Sequence, residues 1–210
     1  TELVHYLRLK RRRKVKIIHG DALRVDWTVT LKDNPSTTLG VATSGYRIVA
    51  NIPYSMTSPL LRKIFSLEHK PTLAVFLIQR EMAERLVAPP GSSERGFLTI
   101  LAEANAASKI VRKVRPGSFY PKPKVESAII TVRPRKSEVD KLYWPAVEAG
   151  FRHKRQTLCN AINKDLKIPK AKIIALLERA KLAPLIRAQD LSFDDWATIS
   201  QRIEKLLKKS

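Results

Sequence analysis

The stretch Arg47-Ile48-Val49-Ala50-Asn51-Ile52-Pro53-Tyr54 reads as a buried strand that breaks on a proline. Its apolar and β-branched residues favour extended backbone, and Pro53 holds the residue before it extended. Downstream, Ser58 to Leu67 has the spacing of a helix, with Leu60, Leu61, Ile64 and Phe65 facing inward. Leu73 to Ile78 is a second, more apolar strand, and Gln79 to Val87 returns to helix. Strands alternating with helices indicate an α/β sheet. In such sheets ligands bind outside the carboxyl ends of the strands, which is where Asn51 to Tyr54 lies.

Working outward, residues 2–9 read as the tail of a helix. Val15-Lys16-Ile17-Ile18-His19 is a short β-type run stopping at Gly20-Asp21, and residues 28–45 are a loop rich in Thr, Ser, Gly and Pro. Beyond the loop at Pro89-Pro90-Gly91-Ser92-Ser93, a helix is expected from about Gly96 to Ala107. Lys109–Val114 and Ser127–Val132 are two β-type segments with no room for a long helix between them, so they pair antiparallel. After Arg135 the β signals stop, and Pro145–Ile162, Lys170–Ala180 and Phe193–Leu207 read as helices. In the last, Phe193, Trp196, Ile199, Ile203 and Leu206 form one apolar stripe, with Ser192 as N-cap. The chain thus divides near residue 136, into an α/β part over 1–135 and a helical part over 136–210.

Forty Lys and Arg stand against 19 Asp and Glu in these 210 residues, a formal charge of +21. Three stretches carry the excess without any acid: residues 8–16, 104–125 and 149–164. A single basic run is usually a solvated face, but three of them imply a broad positive surface and a nucleic-acid partner. The lone cysteine, Cys159, supports neither a disulfide framework nor a cysteine-rich metal site. It fits a reduced, cytoplasmic compartment. The longest uninterrupted apolar run, Leu73 to Ile78, is far too short to span a bilayer. No metal constellation and no hydrolytic triad are visible.

At the strand end, Asn51 offers a side-chain carbonyl and Tyr54 an aromatic face, which together suit a planar amine. The same four residues also make an ordinary turn with Tyr54 in the core. On the tetrapeptide alone the two readings stand level.

The wider context carries more. Asn51-Ile-Pro-Tyr-Ser-Met-Thr-Ser-Pro-Leu-Leu resembles the Asn-(Leu/Ile)-Pro-Tyr motif of the ribosomal RNA adenine dimethyltransferases. Gln79-Arg-Glu-Met-Ala-Glu-Arg-Leu is similar to that family's next motif, and Phe119-Tyr-Pro-Lys-Pro-Lys-Val-Glu-Ser-Ala to the loop and strand after it. Phe151-Arg-His-Lys-Arg-Gln-Thr-Leu-Cys-Asn resembles the basic opening of its helical domain, and Arg187-Ala-Gln-Asp-Leu-Ser a segment near its end. The matches occur in order over nearly the whole chain. Pro90-Gly-Ser-Ser-Glu-Arg-Gly and the helical tail look more like the ribosome-maturation branch than the antibiotic-resistance branch.

The resemblance implies a Rossmann-like class I methyltransferase sheet with a small all-α domain, and S-adenosylmethionine as cofactor. It implies dimethylation of adenines in a loop of small-subunit ribosomal RNA, by a protein that is monomeric at full length. Asn51 and the backbone carbonyl of Pro53 would accept the hydrogens of the target amine, while Tyr54 and Phe119 would stack on its base. Asp21, Ala22 and Asn51 would hold the cofactor, with the Asp21 carboxylate on its adenine; the plainer role for Asp21 is a helix cap. Gln79 and Glu81 either organise the pocket or simply begin a helix. Arg112, Lys113, Lys122, Lys124, Arg152, Lys154 and Arg155 would contact RNA.

Two departures stand against the family pattern. The glycine-rich loop that approaches the cofactor and the acidic strand end that follows it have no counterpart in this sequence. Ser55 also occupies a position where the family usually has Asn. The expectation is therefore a chain lacking the front of its cofactor site. The alternatives are a non-catalytic RNA-binding assembly factor and a transcription-associated relative acting on DNA.

Overall fold

A computed structural model describes residues 18–27, 45–137 and 139–207. The expected helix over 2–9, the basic stretch over 8–16, most of the run Val15–His19 and residues 28–44 of the expected loop lie outside these. Ile18 and His19 are described and belong to no strand.

The order is β1 (Arg47–Asn51), α1 (Thr57–Ser66), β2 (Leu73–Gln79), α2 (Arg80–Leu86), α3 (Phe97–Asn105), β3 (Ala106–Val114), β4 (Ser127–Pro134) and then four helices. These are α4 (Tyr143–Arg152), α5 (Leu158–Leu166), α6 (Lys170–Arg179) and α7 (Phe193–Leu207). The described strands form one sheet in the order β1-β2-β4-β3. β1 and β2 are parallel, and β4 runs antiparallel to both β2 and β3, so the closing hairpin forms as expected. A bulge between Ile110 and Arg112 leaves Val111 out of register and exposed.

Burial follows the sheet's period of two. Ala74, Phe76 and Ile78 of β2 and Ala128, Ile130 and Val132 of β4 are buried beside Leu60, Leu61, Ile64 and Phe65 of α1. A second core gathers Tyr143, Val147, Leu158, Ile162, Leu177, Trp196, Ile199 and Ile203, with Ile100 of α3. Tyr143 meets Trp144 edge-on at 5.0 Å and Phe193 at 5.6 Å between ring centres. The strand expected to be buried, β1, is not: among the described strands it lies at the other edge of the sheet, with Arg47, Val49 and Asn51 exposed, Val49 at 81%.

Two boundaries differ from the sequence reading. The helix expected to reach Ala107 stops at Asn105, and Ala106 already pairs with Pro134. Alanine's helix propensity loses there to the sheet, and the Asn105 side chain donates back to Leu101 O at 2.9 Å. The single helix expected over Pro145–Ile162 is two, α4 and α5. Thr157 caps the second by accepting the Asn160 N–H, and the Leu158 N–H is taken by Ile186 O at 2.7 Å. In α7 the expected cap holds. Ser192 Oγ accepts the Asp195 N–H at 3.1 Å, and the Asp195 carboxylate accepts the Ser192 N–H at 2.9 Å.

Candidate active site

Sheet direction brings the site together. Asn51, the last residue of β1, lies opposite Leu77. Gln79, the last of β2, lies opposite Ser127, where β4 begins; Val114, the last of β3, lies opposite Ser127 on the other side. The loop over 115–126 therefore sits at the carboxyl ends of β1 and β2. There Asn51, Ile52, Pro53 and Tyr54 face Phe119, Tyr120, Pro121, Pro123 and Ser127 around a cavity of about 310 Å³. That is the small end of the range for small-molecule sites.

Each wall has an anchor. Ile52 is buried and donates its N–H to Leu77 O at 3.2 Å, which fixes the strand end. The Asn51 side chain is exposed and makes no hydrogen bond to another described residue. The Pro53 carbonyl accepts the Met56 N–H at 2.8 Å, leaving it one lone pair. Tyr54 is partly exposed, and its hydroxyl lies 3.2 Å from the hydroxyl of buried Ser127. On the far wall Phe119 is half-buried on extended backbone and donates its N–H to Pro116 O at 3.2 Å. The loop's other end is held by the Arg80 N–H on Glu126 O at 2.9 Å and by the paired Arg80 and Glu126 side chains.

Asp21 and Ala22 do not line this cavity. They open a short turn in which Asp21 Oδ1 accepts the Leu23 N–H at 2.8 Å, the capping role. Lys63 of α1 ties the turn down by donating to the carbonyls of Ala22, Leu23 and Val25 at 3.1, 2.9 and 2.6 Å. Ala22 lines a second cavity of about 410 Å³ with Gly20, Trp27 and Val49, beside β1. Asp21 Oδ2 is 3.6 Å from Arg24 on a side chain 44% exposed, so an incoming amino group can still reach it. Gln79 ends β2, while Glu81 pairs with Arg85 at 2.8 Å on the surface of α2 and stays outside the cavity.

Of the basic residues, Arg112, Lys122, Lys124 and Arg155 are exposed. The other three are partly committed: Lys113 to Glu84 at 3.3 Å, Arg152 to Asp165 at 2.7 Å, and Lys154 to Ser93 O at 2.6 Å. The acid-free stretch over 149–164 stops one residue before Asp165, and that carboxylate folds back onto it. Asp165 also contacts His153 Nε2 at 2.9 Å. The His153 hydrogen bond first, and then the Arg152 charge, hold its carboxyl below the usual carboxylate range.

Sequence reasoning missed three residues. Ser127 appeared only as the start of a strand and within a motif, and Tyr120 and Arg95 only within quoted motifs. Arg95 is fully buried and donates to Ala88 O, Leu191 O and both oxygens of Glu103. Among the described residues no group of three or more His, Cys, Asp or Glu could hold a metal, and no helix is long and apolar enough to cross a membrane.

The chain is similar to proteins already known. A ribosomal RNA small subunit methyltransferase A from Clostridium botulinum is 33% identical over 204 residues, covering 95% of this chain and 70% of that protein. One from Dehalococcoides mccartyi is 37% identical over 188 residues, covering 86% and 60%. The crystal structure of a dimethyladenosine transferase from Plasmodium falciparum superposes with a TM-score of 0.67 at 27% identity, over 76% of this chain and 68% of that one. The 23S rRNA methyltransferase ErmE shares the fold, with a TM-score of 0.71 at 21% identity over 97% of this chain and 78% of its own. The family model of the ribosomal RNA adenine dimethylases matches residues 2–205, and the chain belongs to that family.

Proposed function

We propose that this protein uses S-adenosylmethionine to dimethylate adenines in a loop of small-subunit ribosomal RNA, in the cytoplasm and as a monomer. The observation that carries this is the cavity that joins Asn51, Pro53 and Tyr54 to Phe119 at the carboxyl end of the sheet.

An adenine amine is a poor nucleophile because its lone pair is conjugated with the ring. The uncommitted Asn51 carbonyl and the remaining Pro53 lone pair accept its two hydrogens and favour a pyramidal nitrogen. Tyr54 and Phe119, from opposite walls, hold the base in plane. Ser127 fixes the Tyr54 ring through its hydroxyl. When bound, S-adenosylmethionine supplies a methyl group already activated by its sulfonium. Asp21 and Asn51 are the described residues that fit it, Asp21 through its accessible oxygen. Positioning and fixed dipoles then account for the rate, with no covalent enzyme intermediate.

Single-turnover transfer of a labelled methyl group to protein-free small-subunit RNA tests this. The expected result is label on adenine, with Asn51→Ala slowing transfer at saturating cofactor while RNA binding holds, as for an interaction that strengthens in the transition state. RNA binding without any transfer would favour the assembly-factor reading. Parental turnover by Asn51→Ala would reduce Asn51 to a turn residue.

A further inference from the structure

Tyr120 is out of place as a core residue. It is 102% exposed, the most exposed large hydrophobic side chain among the described residues, yet it borders the cavity rim directly beside Phe119. Its hydroxyl makes no hydrogen bond to another described residue. The backbone at Phe119 is extended, with φ −124 and ψ 151. Phe119 and Tyr120 both line the cavity, and the full exposure of Tyr120 against the half-buried Phe119 places the Tyr120 ring at its mouth.

The loop restricts the backbone that carries that ring. Pro116, Pro121 and Pro123 restrict the backbone. The turn at Pro116–Ser118 and the Arg80–Glu126 pair fix the two ends. On either side of Pro123, Lys122 and Lys124 are exposed. An exposed aromatic face flanked by cations is the arrangement that single-stranded nucleic acid uses, with bases on the ring and phosphates on the lysines.

We propose that Tyr120 forms a second base site, stacking the nucleobase next to the adenine that enters the cavity, with Lys122 and Lys124 on the adjoining phosphates. This rests on the reading of the cavity as a target-adenine pocket. Stacking accepts any base, so the site fixes the strand's path without reading its sequence. Extruding one nucleotide leaves its neighbour with an unstacked face, and Tyr120 covers that face.

The test uses RNA loops with an abasic nucleotide on the 5′ or the 3′ side of the target, against the intact loop. On intact RNA, Tyr120→Ala should raise KM for RNA about tenfold and leave the saturating rate within twofold, while Tyr120→Trp retains the parental KM. On one of the two abasic loops, parent and Tyr120→Ala should become indistinguishable, because the ring's partner is gone. Equal KM values for parent and Tyr120→Ala on intact RNA overturn the site. So does a penalty that persists on both abasic loops. Binding is read separately with 2-aminopurine at each flanking position. The parent should quench its fluorescence at one position, and Tyr120→Ala should not. If no RNA is methylated but this quenching difference is present, the pocket reading fails and the stacking site stands. If quenching is the same in parent and variant, the stacking site fails whatever the methylation result.

Discussion

Replacing Arg95 by Met should destabilise the fold by about 3–5 kcal/mol, the usual loss when one partner of a buried ion pair is removed. The side chain has no exposed surface, and its four hydrogen bonds span 2.6 to 3.0 Å. Methionine keeps most of the aliphatic stem, so the cavity left is small and the loss is chiefly polar. Two acceptors inside the protein, the carbonyls of Ala88 and Leu191, lose their donor, each worth roughly 1–3 kcal/mol when left unsatisfied. The Glu103 side chain is 32% exposed, so its carboxylate partly rehydrates, which favours the lower end of the range. Urea denaturation reads the effect: at a slope of roughly 2 kcal/mol per molar, a 3 kcal/mol loss moves the midpoint by about 1.5 M. Glu103→Leu added to Arg95→Met removes the stranded charge, so the double variant should be less destabilised than the two single losses summed. A shift below about 1 kcal/mol for Arg95→Met, or full additivity in the pair, would refute the reasoning. The bond to Leu191 adds a second signature. Leu191 belongs to the helical core, whereas Ala88 precedes the loop that carries Arg95. Losing the bridge should make the two cores melt less cooperatively, visible as a broadened transition.

Gly150→Ala should destabilise despite alanine's better helix propensity, by about 1–3 kcal/mol in a thermal melt, because a Cβ there would lie 2.7 Å from the Trp196 ring and 3.1 Å from Ala188. Asp165 titrates low in the fold, so its contribution is present above the unfolded carboxylate value and is lost as pH falls through the folded one. Parental stability should therefore drop below about pH 4, and Asp165→Asn should flatten that limb in a pH series of urea melts. Tyr54→Phe and Ser127→Ala delete the same hydrogen bond from opposite ends. Each should cost roughly 0.5–1.5 kcal/mol of transition-state stabilisation in single-turnover methylation, and the pair should lose no more than either alone. Removing both Lys122 and Lys124 should weaken RNA binding and flatten its salt dependence by roughly 0.7 in log–log slope for each phosphate that is no longer neutralised, measured by filter binding across a salt series.

What was legible in the sequence was what local pattern controls. The strand ending at Asn51, the apolar stripe of α7 and its Ser192 cap come from short-range spacing and steric rules, and all three stand in the structure. The closing hairpin was legible because the chain between its strands is too short and too rich in proline for a crossover helix. What failed depended on distant partners. Phe151 and Leu158 stand seven residues apart, on one face of a helix, which lets a single helix be drawn through the polar residues between them; in the structure Ile186 and Asp165 reach into that turn and Thr157 caps α5. Arg95 reads as one more cation in a basic chain, and only Leu191, 96 residues on, reveals it as interior. Ser127 acquires meaning only beside Tyr54, 73 residues earlier. For the same reason net charge overstates the free positive surface. Arg152, Lys113 and Lys154 look identical to Lys122 in the sequence, but each is already engaged within the fold.

The antiparallel direction of β4 is what makes the candidate site possible. β3 runs parallel to β2, since each is antiparallel to β4, and so it delivers the chain to the carboxyl end of the sheet at Val114. Had the next strand been parallel as well, the chain would have crossed to the opposite end before re-entering. Ser127, at the start of that strand, would then sit a full strand length from Tyr54. Eight residues at about 3.3 Å each is roughly 26 Å, far beyond a hydrogen bond. Turning back at once instead leaves the loop carrying Phe119 and Tyr120 at the end where β1 terminates in Asn51. It also seats the Ser127 hydroxyl 3.2 Å from Tyr54. The aromatic wall, the amine acceptors and the flanking lysines are therefore joined by strand direction and register. A change that slips β4 by one residue would turn Ser127 to the other face of the sheet, and Tyr54 would lose its hydroxyl partner without any substitution in the cavity itself.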